Sequence, residues 1–343
     1  MSKFLEYLSN KPIKYNDLFG IIKDEIKFLF ENDFNFENSI FEKYPVELKM
    51  LFQSNEKIFW DFWDFCEQIQ KEVKKDKNDD SNLEELRKNG ISIIPKYFNN
   101  EEIILLKEDW ELSMKDFPIL TKEEENSTLK NRFNFKSIEK INYVTSSIYD
   151  GKRRVIYTNK DTFPSNFKKL LNENQKFKNI IQEYFYTTKP FFPNAIMAEE
   201  IFEPNYYRDD YYWHIDNLSD QFKIMIVLED MTQNDAPFIY KKGTHKIKNE
   251  YKNRYHKMYS INGITTQESN HFEESFTPQN EEIKKAILKA GDIVLFDCKI
   301  HHSASFAQNE GNRKNIIIYY NSIPTIKNKI LYKIDSYLNF ALR

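Results

Sequence analysis

The sequence predicts an α+β protein that is helical at its start and β-rich towards its end. Three observations carry this. In the first 70 positions apolar residues crowd at helical spacing, as in Leu18, Phe19, Ile21, Ile22, Ile26, Phe28, Leu29 and Phe30. From about residue 214 the apolar runs shorten to strand length, as in Phe222-Lys223-Ile224-Met225-Ile226-Val227-Leu228. All six histidines fall in that second region, between His214 and His302.

A chain of 343 residues allows one large domain or two of ordinary size. With 40% hydrophobic and 30% charged residues, a soluble globule with a sizeable core is expected. The 50 Lys and Arg against 53 Asp and Glu give a net charge of -3, without the basic excess of a nucleic-acid backbone binder. Two cysteines, Cys66 and Cys298, do not make a disulfide scaffold. The first seven residues lack an apolar signal region, and no run approaches the ~18 apolar residues of a membrane span. A reducing, cytoplasmic setting with no membrane span is expected.

Taken in order, residues 1 to about 70 read as helices. The cluster Ile58-Phe59-Trp60-Asp61-Phe62-Trp63-Asp64-Phe65-Cys66 is a helix face that packs on the main domain or meets a partner or lipid. The mixed charge run 71–80 reads as a solvated helix end or linker. Ser81-Asn82-Leu83-Glu84 matches a capping box, and the helix it opens should stop at Asn89-Gly90. Ile91-Ser92-Ile93-Ile94 is a strand ended by Pro95. Asn99 or Asn100 caps the next helix, with Glu101 and Glu102 in its first turn.

Short strands are expected at 142–145 and 154–157, a helix at 167–186 and a strand at 195–202. Arg153 and Arg154 are either pocket-lining or surface residues. Residues 222–228 form a buried strand, 238–240 another, and Lys242-Gly243-Thr244-His245-Lys246 a loop. Residues 247–281 are polar and irregular, the length of a lid over a site. A hairpin is expected from 286–288 through the Ala290-Gly291-Asp292 turn to 293–296, a strand at 315–320, and an amphipathic helix at 326–342. The division is an N-terminal helical extension, 1–80, and a main domain, 81–343.

The chemistry concentrates in Tyr211-Tyr212-Trp213-His214-Ile215-Asp216-Asn217. On a strand, the period of two puts His214 and Asp216 on one face. A neutral imidazole and a carboxylate are two-thirds of a 2-His-1-carboxylate iron site, which holds the metal on one side and leaves the other open. The third ligand must come from another strand. His301 and His302 both follow Gly291-Asp292-Ile293-Val294-Leu295-Phe296-Asp297, and alternation lets only one of them point inward. Arg313 follows shortly after.

In this order the motifs resemble the phytanoyl-CoA dioxygenase family of Fe(II)/2-oxoglutarate oxygenases, from about residue 83 to 320. The family's Asn-Gly strand opening is seen in Asn89-Gly90-Ile91-Ser92-Ile93-Ile94, followed by the capped helix from Asn99 to Trp110. Its His-x-Asp is His214-Ile215-Asp216. Its Pro-Gly-Ser-His-Lys loop is Lys242-Gly243-Thr244-His245-Lys246, with Lys in place of Pro. Its Gly-Asp-to-Phe-Asp segment runs from Gly291-Asp292 to Phe296-Asp297, and the family's count from there makes His302 the distal ligand. The departures are Ser303, at the position of the small residue after the distal His, and Ala236, where Gly is common.

The resemblance implies a double-stranded β-helix (jelly-roll, cupin-like) core with flanking helices. It implies Fe(II) on His214, Asp216 and His302, with 2-oxoglutarate and O2 as co-substrates. Arg313 would hold the far carboxylate of 2-oxoglutarate, with Ser303 beside it. The implied reaction is hydroxylation of a C–H bond in a small-molecule metabolite or natural-product intermediate, giving succinate and CO2. Halogenating relatives lack the carboxylate that Asp216 supplies. His245 is read as a hydrogen-bonding loop anchor, and Tyr211, Trp213 and Arg208 as substrate contacts, beside Tyr206 and Tyr207. The N-terminal helices are candidates for a carrier-protein or homo-oligomer contact. The alternative reading is a non-catalytic double-stranded β-helix that binds metal or ligand.

Overall fold

The computed structural model describes residues 14–72, 80–115, 145–147, 153–159, 165–173, 175–189, 191, 193, 195–201, 213–264, 283–304, 313–321 and 323–341. The elements are α1 (Tyr15–Glu31), α2 (Ile40–Lys43), α3 (Pro45–Ser54), α4 (Glu56–Glu72), α5 (Ser81–Asn89), β1 (Ile91–Ile94) and α6 (Asn100–Lys115). Next come β2 (Thr145–Ser147), β3 (Arg153–Asn159), α7 (Ser165–Glu173), α8 (Gln175–Tyr184), β4 (Ala195–Ile201), β5 (Phe222–Val227) and β6 (Phe238–Lys241). The last are α9 (Asn249–Asn262), β7 (Ile283–Lys285), β8 (Ile293–Asp297), β9 (His302–Ala304), β10 (Arg313–Tyr320) and α10 (Ile326–Ala341).

The strands form a major sheet in the order β1-β8-β5-β10-β4-β3-β2 and a minor sheet β7-β6-β9. Both are antiparallel. One apolar cluster joins them: Met225, Val227, Val294, Phe296 and Ile317 from the major sheet meet Phe238 and Tyr240 from the minor one. Two antiparallel sheets packed face to face make the expected jelly roll. The opposite face of the major sheet, with Phe222, Ile224, Ile226, Leu295, Ile316 and Ile318, is covered by apolar residues of α5, α6, α7 and α8.

The alternation along β5 therefore has a definite sense. Phe222, Ile224 and Ile226 face the helices, while Met225 and Val227 face the space between the sheets. Lys223 falls on that inner face.

A third cluster gathers α1–α4, α9, α10 and the segment Trp213, Ile215 and Leu218. Phe59, Trp60, Phe62, Trp63 and Cys66 are buried in it, so the aromatic stripe of α4 packs internally.

Local sequence signals explain two of the helix ends directly. Gly90 takes φ 78° and closes α5, and Asn99 caps α6 by a reciprocal pair: Glu102 N donates to Asn99 Oδ1 (3.0 Å) and Asn99 N to Glu102 Oε2 (2.9 Å).

Several expectations are corrected. Asp80, not Ser81, caps α5, accepting from Asn82 N at 2.8 Å; its carboxylate suits the positive helix end better than a hydroxyl. The single helix expected at 167–186 is two, α7 and α8. The hairpin expected between 286–288 and 293–296 is not one: β8 pairs with β1 and β5, whereas Ala286 N donates to Phe238 O and Leu288 bridges Met231. Its Gly291 turn, at φ 93°, carries the chain from one sheet to the other. The expected irregular segment 247–281 contains α9, which buries Tyr255 and Tyr259. The spacing of Tyr251, Tyr255, Met258 and Tyr259 is helical, but tyrosine carries a polar tip on an apolar ring and lies here among polar residues, which blurs the period. Residues 265–282 and 142–144 lie outside the described residues.

Candidate active site

His214 does not sit in a regular strand. It forms an isolated antiparallel bridge with His302, at the start of β9: each N–H donates to the other's carbonyl at 3.0 Å. That reciprocal pair of hydrogen bonds sets the two imidazoles side by side, with ring centroids 4.4 Å apart. Two residues on, Asp216 N donates to Cys298 O at 2.9 Å, which holds the carboxylate on the same side. The ligating atoms of His214, Asp216 and His302 lie within 4.8 Å of one another.

His302 is held in the neutral form that a metal site could use. Its Nδ1 donates to Ile300 O at 2.8 Å, so Nε2 carries the lone pair, and Nε2 lies 3.4 Å from Asp216 Oδ2. Phe238 and Phe296 wall its ring, at centroid distances of 5.2 Å and 5.7 Å. Burial pushes its pKa down to about 3. At neutral pH its contact with Asp216 is therefore not an ion pair. The cation beside Asp216 is Lys223, whose Nζ lies 2.7 Å from Oδ1. Burial would raise the Asp216 pKa, but the Lys223 ammonium overrides it and holds the carboxyl well below the usual carboxylate range.

His301 faces the other way. Its Nε2 meets Tyr255 OH at 2.7 Å, its ring packs edge-on against Tyr251, and burial pushes its pKa down to about 3. Its N–H donates to Thr244 Oγ1 (2.8 Å), and Thr244 Oγ1 in turn donates to Lys241 O (2.8 Å). The Gly-Thr-His-Lys loop thus sets the histidine pair from behind. His245 anchors that loop. Its ring meets Arg87 O at 3.3 Å and packs so closely that a Cβ on Gly90 would lie 2.5 Å from its Nδ1.

Arg313 opens β10 and is buried. Its Nη1 donates to Ala236 O, and its Nε donates to Asn315 at 2.7 Å, with the Asn315 amide oriented to accept it. Ala236 lies two residues before Phe238, the ring against His302. Ala236 itself holds φ 50°, the left-handed region, which explains why glycine is common at this position.

Other expected contacts are not brought together. Ser303 lies on the opposite face of β9 from His302. It pairs with Ile239, which packs on the N-terminal helical cluster, so the pleat turns it away from the inner space. Trp213 alternates with His214 and is buried in that same helical cluster, away from the space between the sheets. Tyr206, Tyr207, Arg208 and Tyr211 lie outside the described residues. Arg153 and Arg154 are on β3, next to the edge of the major sheet. Lys223 was missed. Its signal was present: a lone cation in the all-buried run of β5, in phase with Met225 and Val227.

The phytanoyl-CoA dioxygenase (PhyH) family model matches residues 67–315. This chain belongs to that family. The match begins inside α4 and covers both sheets, the His-x-Asp segment and the first residues of β10. Among curated proteins, none matches the chain significantly. Similar solved structures include AviO1 from Streptomyces viridochromogenes Tue57, at 15% identity and TM-score 0.44, covering 74% of this chain and 98% of that one. HygX from Streptomyces hygroscopicus, with nickel and 2-oxoglutarate bound, is 13% identical with TM-score 0.43, over 71% and 87%. EctD from S. alaskensis with bound Fe is 14% identical with TM-score 0.46, over 73% and 80%.

Enzymes of this family use Fe(II), 2-oxoglutarate and O2. The donor set here fits that metal: two imidazoles, one held in the ligating tautomer, and one ionised carboxylate, all converging from two chain segments. Among the described residues no helix is long and apolar enough to cross a membrane.

Proposed function

We propose that His214, Asp216 and His302 hold Fe(II), and that Arg313 seats the far carboxylate of 2-oxoglutarate, in a hydroxylase acting on a C–H bond of a small-molecule metabolite or natural-product intermediate. The observation that supports this most directly is the convergence of the three ligating atoms within 4.8 Å, beside two rings that close one side of His302. Bound there, Fe(II) with 2-oxoglutarate and O2 supplies the oxidising power that breaks the C–H bond, with succinate and CO2 as co-products.

The chain's own residues do the rest. The His214–His302 bridge fixes the imidazoles before any ligand arrives, so little ordering is left to do on binding. Ile300 O keeps the His302 proton on Nδ1 and its lone pair on Nε2. Ala236 O and Asn315 lock the Arg313 guanidinium, whose planar fork matches a carboxylate as a lysine cannot. Phe238 and Phe296 exclude water from the rear of the site. A carboxylate at Asp216 favours hydroxylation over halogenation.

In this reading residues 1–80 are an extension and 81–343 the oxygenase domain. A carrier protein or second copy would meet the outer face of α1 and α3, where Phe28, Val46 and Met50 are exposed. A reducing, cytoplasmic setting suits Cys66 and Cys298, both buried thiols.

The test is succinate formation from 2-oxoglutarate. It should require Fe(II) and disappear in His214→Ala and Asp216→Ala, and Arg313→Leu should mainly weaken 2-oxoglutarate binding. Metal-independent turnover, or full turnover in either ligand variant, disposes of the assignment.

A further inference from the structure

Lys223 is the one lysine on the inner face of β5, between Phe222 and Ile224, which turn to the helices. Its side chain is buried, and two contacts fix its ammonium. Nζ lies 2.7 Å from Asp216 Oδ1 and 4.6 Å from the centroid of Tyr319, its cross-strand partner on β10. The two oxygens of Asp216 are thereby differentiated: Oδ1 meets Lys223, and Oδ2 faces His302 Nε2 at 3.4 Å.

The charge count follows. Two neutral imidazoles and one carboxylate would cancel one charge of a divalent ion. With Lys223 paired to that carboxylate, both charges of the ion stay uncompensated in a site with little water to screen them. Such a site binds a divalent cation less tightly and a dianion beside it more tightly.

We propose that Lys223 is a positioning and selectivity residue of the metal centre. It holds Asp216 by Oδ1 so that Oδ2 is presented to the metal, and its charge favours the dianionic co-substrate at the expense of metal affinity. This rests on the Fe(II) site proposed above.

The experiment uses the full chain stripped of metal. Mn(II) affinity is measured by calorimetry, then 2-oxoglutarate affinity on the Mn(II)-loaded protein, for wild type, Lys223→Met, Lys223→Gln and Lys223→Arg, with far-UV circular dichroism to confirm folding. In Lys223→Gln, which loses the charge and keeps a donor for Oδ1, Mn(II) should bind at least threefold tighter and 2-oxoglutarate at least tenfold weaker; Lys223→Met, which also loses the hold on Oδ1, should move both constants in the same directions with a smaller gain in Mn(II) affinity. Lys223→Arg, which keeps the charge, should move both constants back towards wild type. A merely structural role would weaken both together. If the two constants fail to move in opposite directions in the folded neutral variants, the proposal is overturned. Lys223→Gln, which keeps a donor for Oδ1, decides the matter where Lys223→Met does not fold. If wild type itself binds no Mn(II) that His214→Ala abolishes, the metal site is what fails, and the proposal falls with it.

Discussion

At the scale of single residues, neighbouring side chains of one type have opposite surroundings. His302 and His301 are adjacent, yet one turns to Asp216 and the other to Tyr255. His302→Ala should therefore lose metal affinity by a hundredfold or more, whereas His301→Ala should retain it within a few-fold and lose thermal stability, because it removes the buried contact between Tyr255 OH and His301 Nε2. Equilibrium metal titration beside a melting curve separates the two; the reverse pattern would mean the register is misread. Ala236 presents a different case. Its left-handed backbone, φ 50°, carries the carbonyl that holds Arg313. A non-glycine residue there costs roughly 1–2 kcal/mol, partly offset in glycine by the entropy of the unfolded chain. Ala236→Gly should be neutral or stabilising by up to about 1 kcal/mol, with 2-oxoglutarate affinity unchanged. Destabilisation beyond that in urea titration would show that the strain is not real.

At the scale of elements, two glycines should respond with opposite sign. Gly291 turns the chain from the minor to the major sheet at φ 93°, and a Cβ there would lie 2.5 Å from Phe98 O. Gly291→Ala combines backbone strain with a collision against main chain, and should cost about 2–5 kcal/mol. Gly20 lies inside α1 with nothing within 4 Å of an added Cβ. Gly20→Ala should stabilise by about 0.5–1 kcal/mol, since alanine loses less entropy in a helix. Denaturant midpoints of the two variants check both; a shift of the same sign in each would refute the local argument. The elements with strong local codes were readable: the Gly90 stop, the Asn99 cap and the run of β5, apolar but for Lys223, follow from a few residues each. The element that was not, α9, is built on tyrosines, whose apolar bodies and polar tips blur the periodicity. Whether β7 and β8 pair with each other was also unreadable, because pairing is a contact between distant segments.

At the scale of the whole molecule, the helical layer and the β core are joined by buried charge. Asp220 Oδ1 receives Lys299 Nζ (2.9 Å) and Lys327 Nζ (2.8 Å), and Oδ2 receives Thr325 Oγ1 (2.7 Å). Lys327 also lies 3.6 Å over the Trp63 ring of α4, and Lys299 meets Asp297, which accepts from Tyr184 OH. The network thus spans α4, α8, α10, the end of β8 and the segment after Asp216. Burial would raise the Asp220 pKa, but Lys299 and Lys327 override it and hold the carboxyl well below the usual range. A depressed carboxylate contributes stability that is fully present above its unfolded pKa, about 3.9, and lost as pH falls through the folded value. Stability should therefore fall steeply below about pH 4. Asp220→Asn should flatten that fall and cost up to about 3–5 kcal/mol near neutrality, because it removes the carboxylate that two buried ammonium groups share and leaves them only Asp297 and Glu67, each at 3.3 Å. An unchanged acid limb in melting curves across pH would remove Asp220 from the account.

The sequence alone determined the fold class, the order of most elements, and the residue types of the candidate site: two histidines, an aspartate and an arginine in family order. Those depend on local spacing, capping chemistry and motif, all of which lie along the chain. Only the tertiary structure decided which way each side chain turns. It set His302, which the family's motif count had already favoured, towards Asp216 and His301 away from it, turned Ser303 and Trp213 from the space between the sheets, and brought Lys223 to Asp216. Those outcomes depend on which face of a strand meets which layer, and no stretch of sequence contains both partners of such a contact.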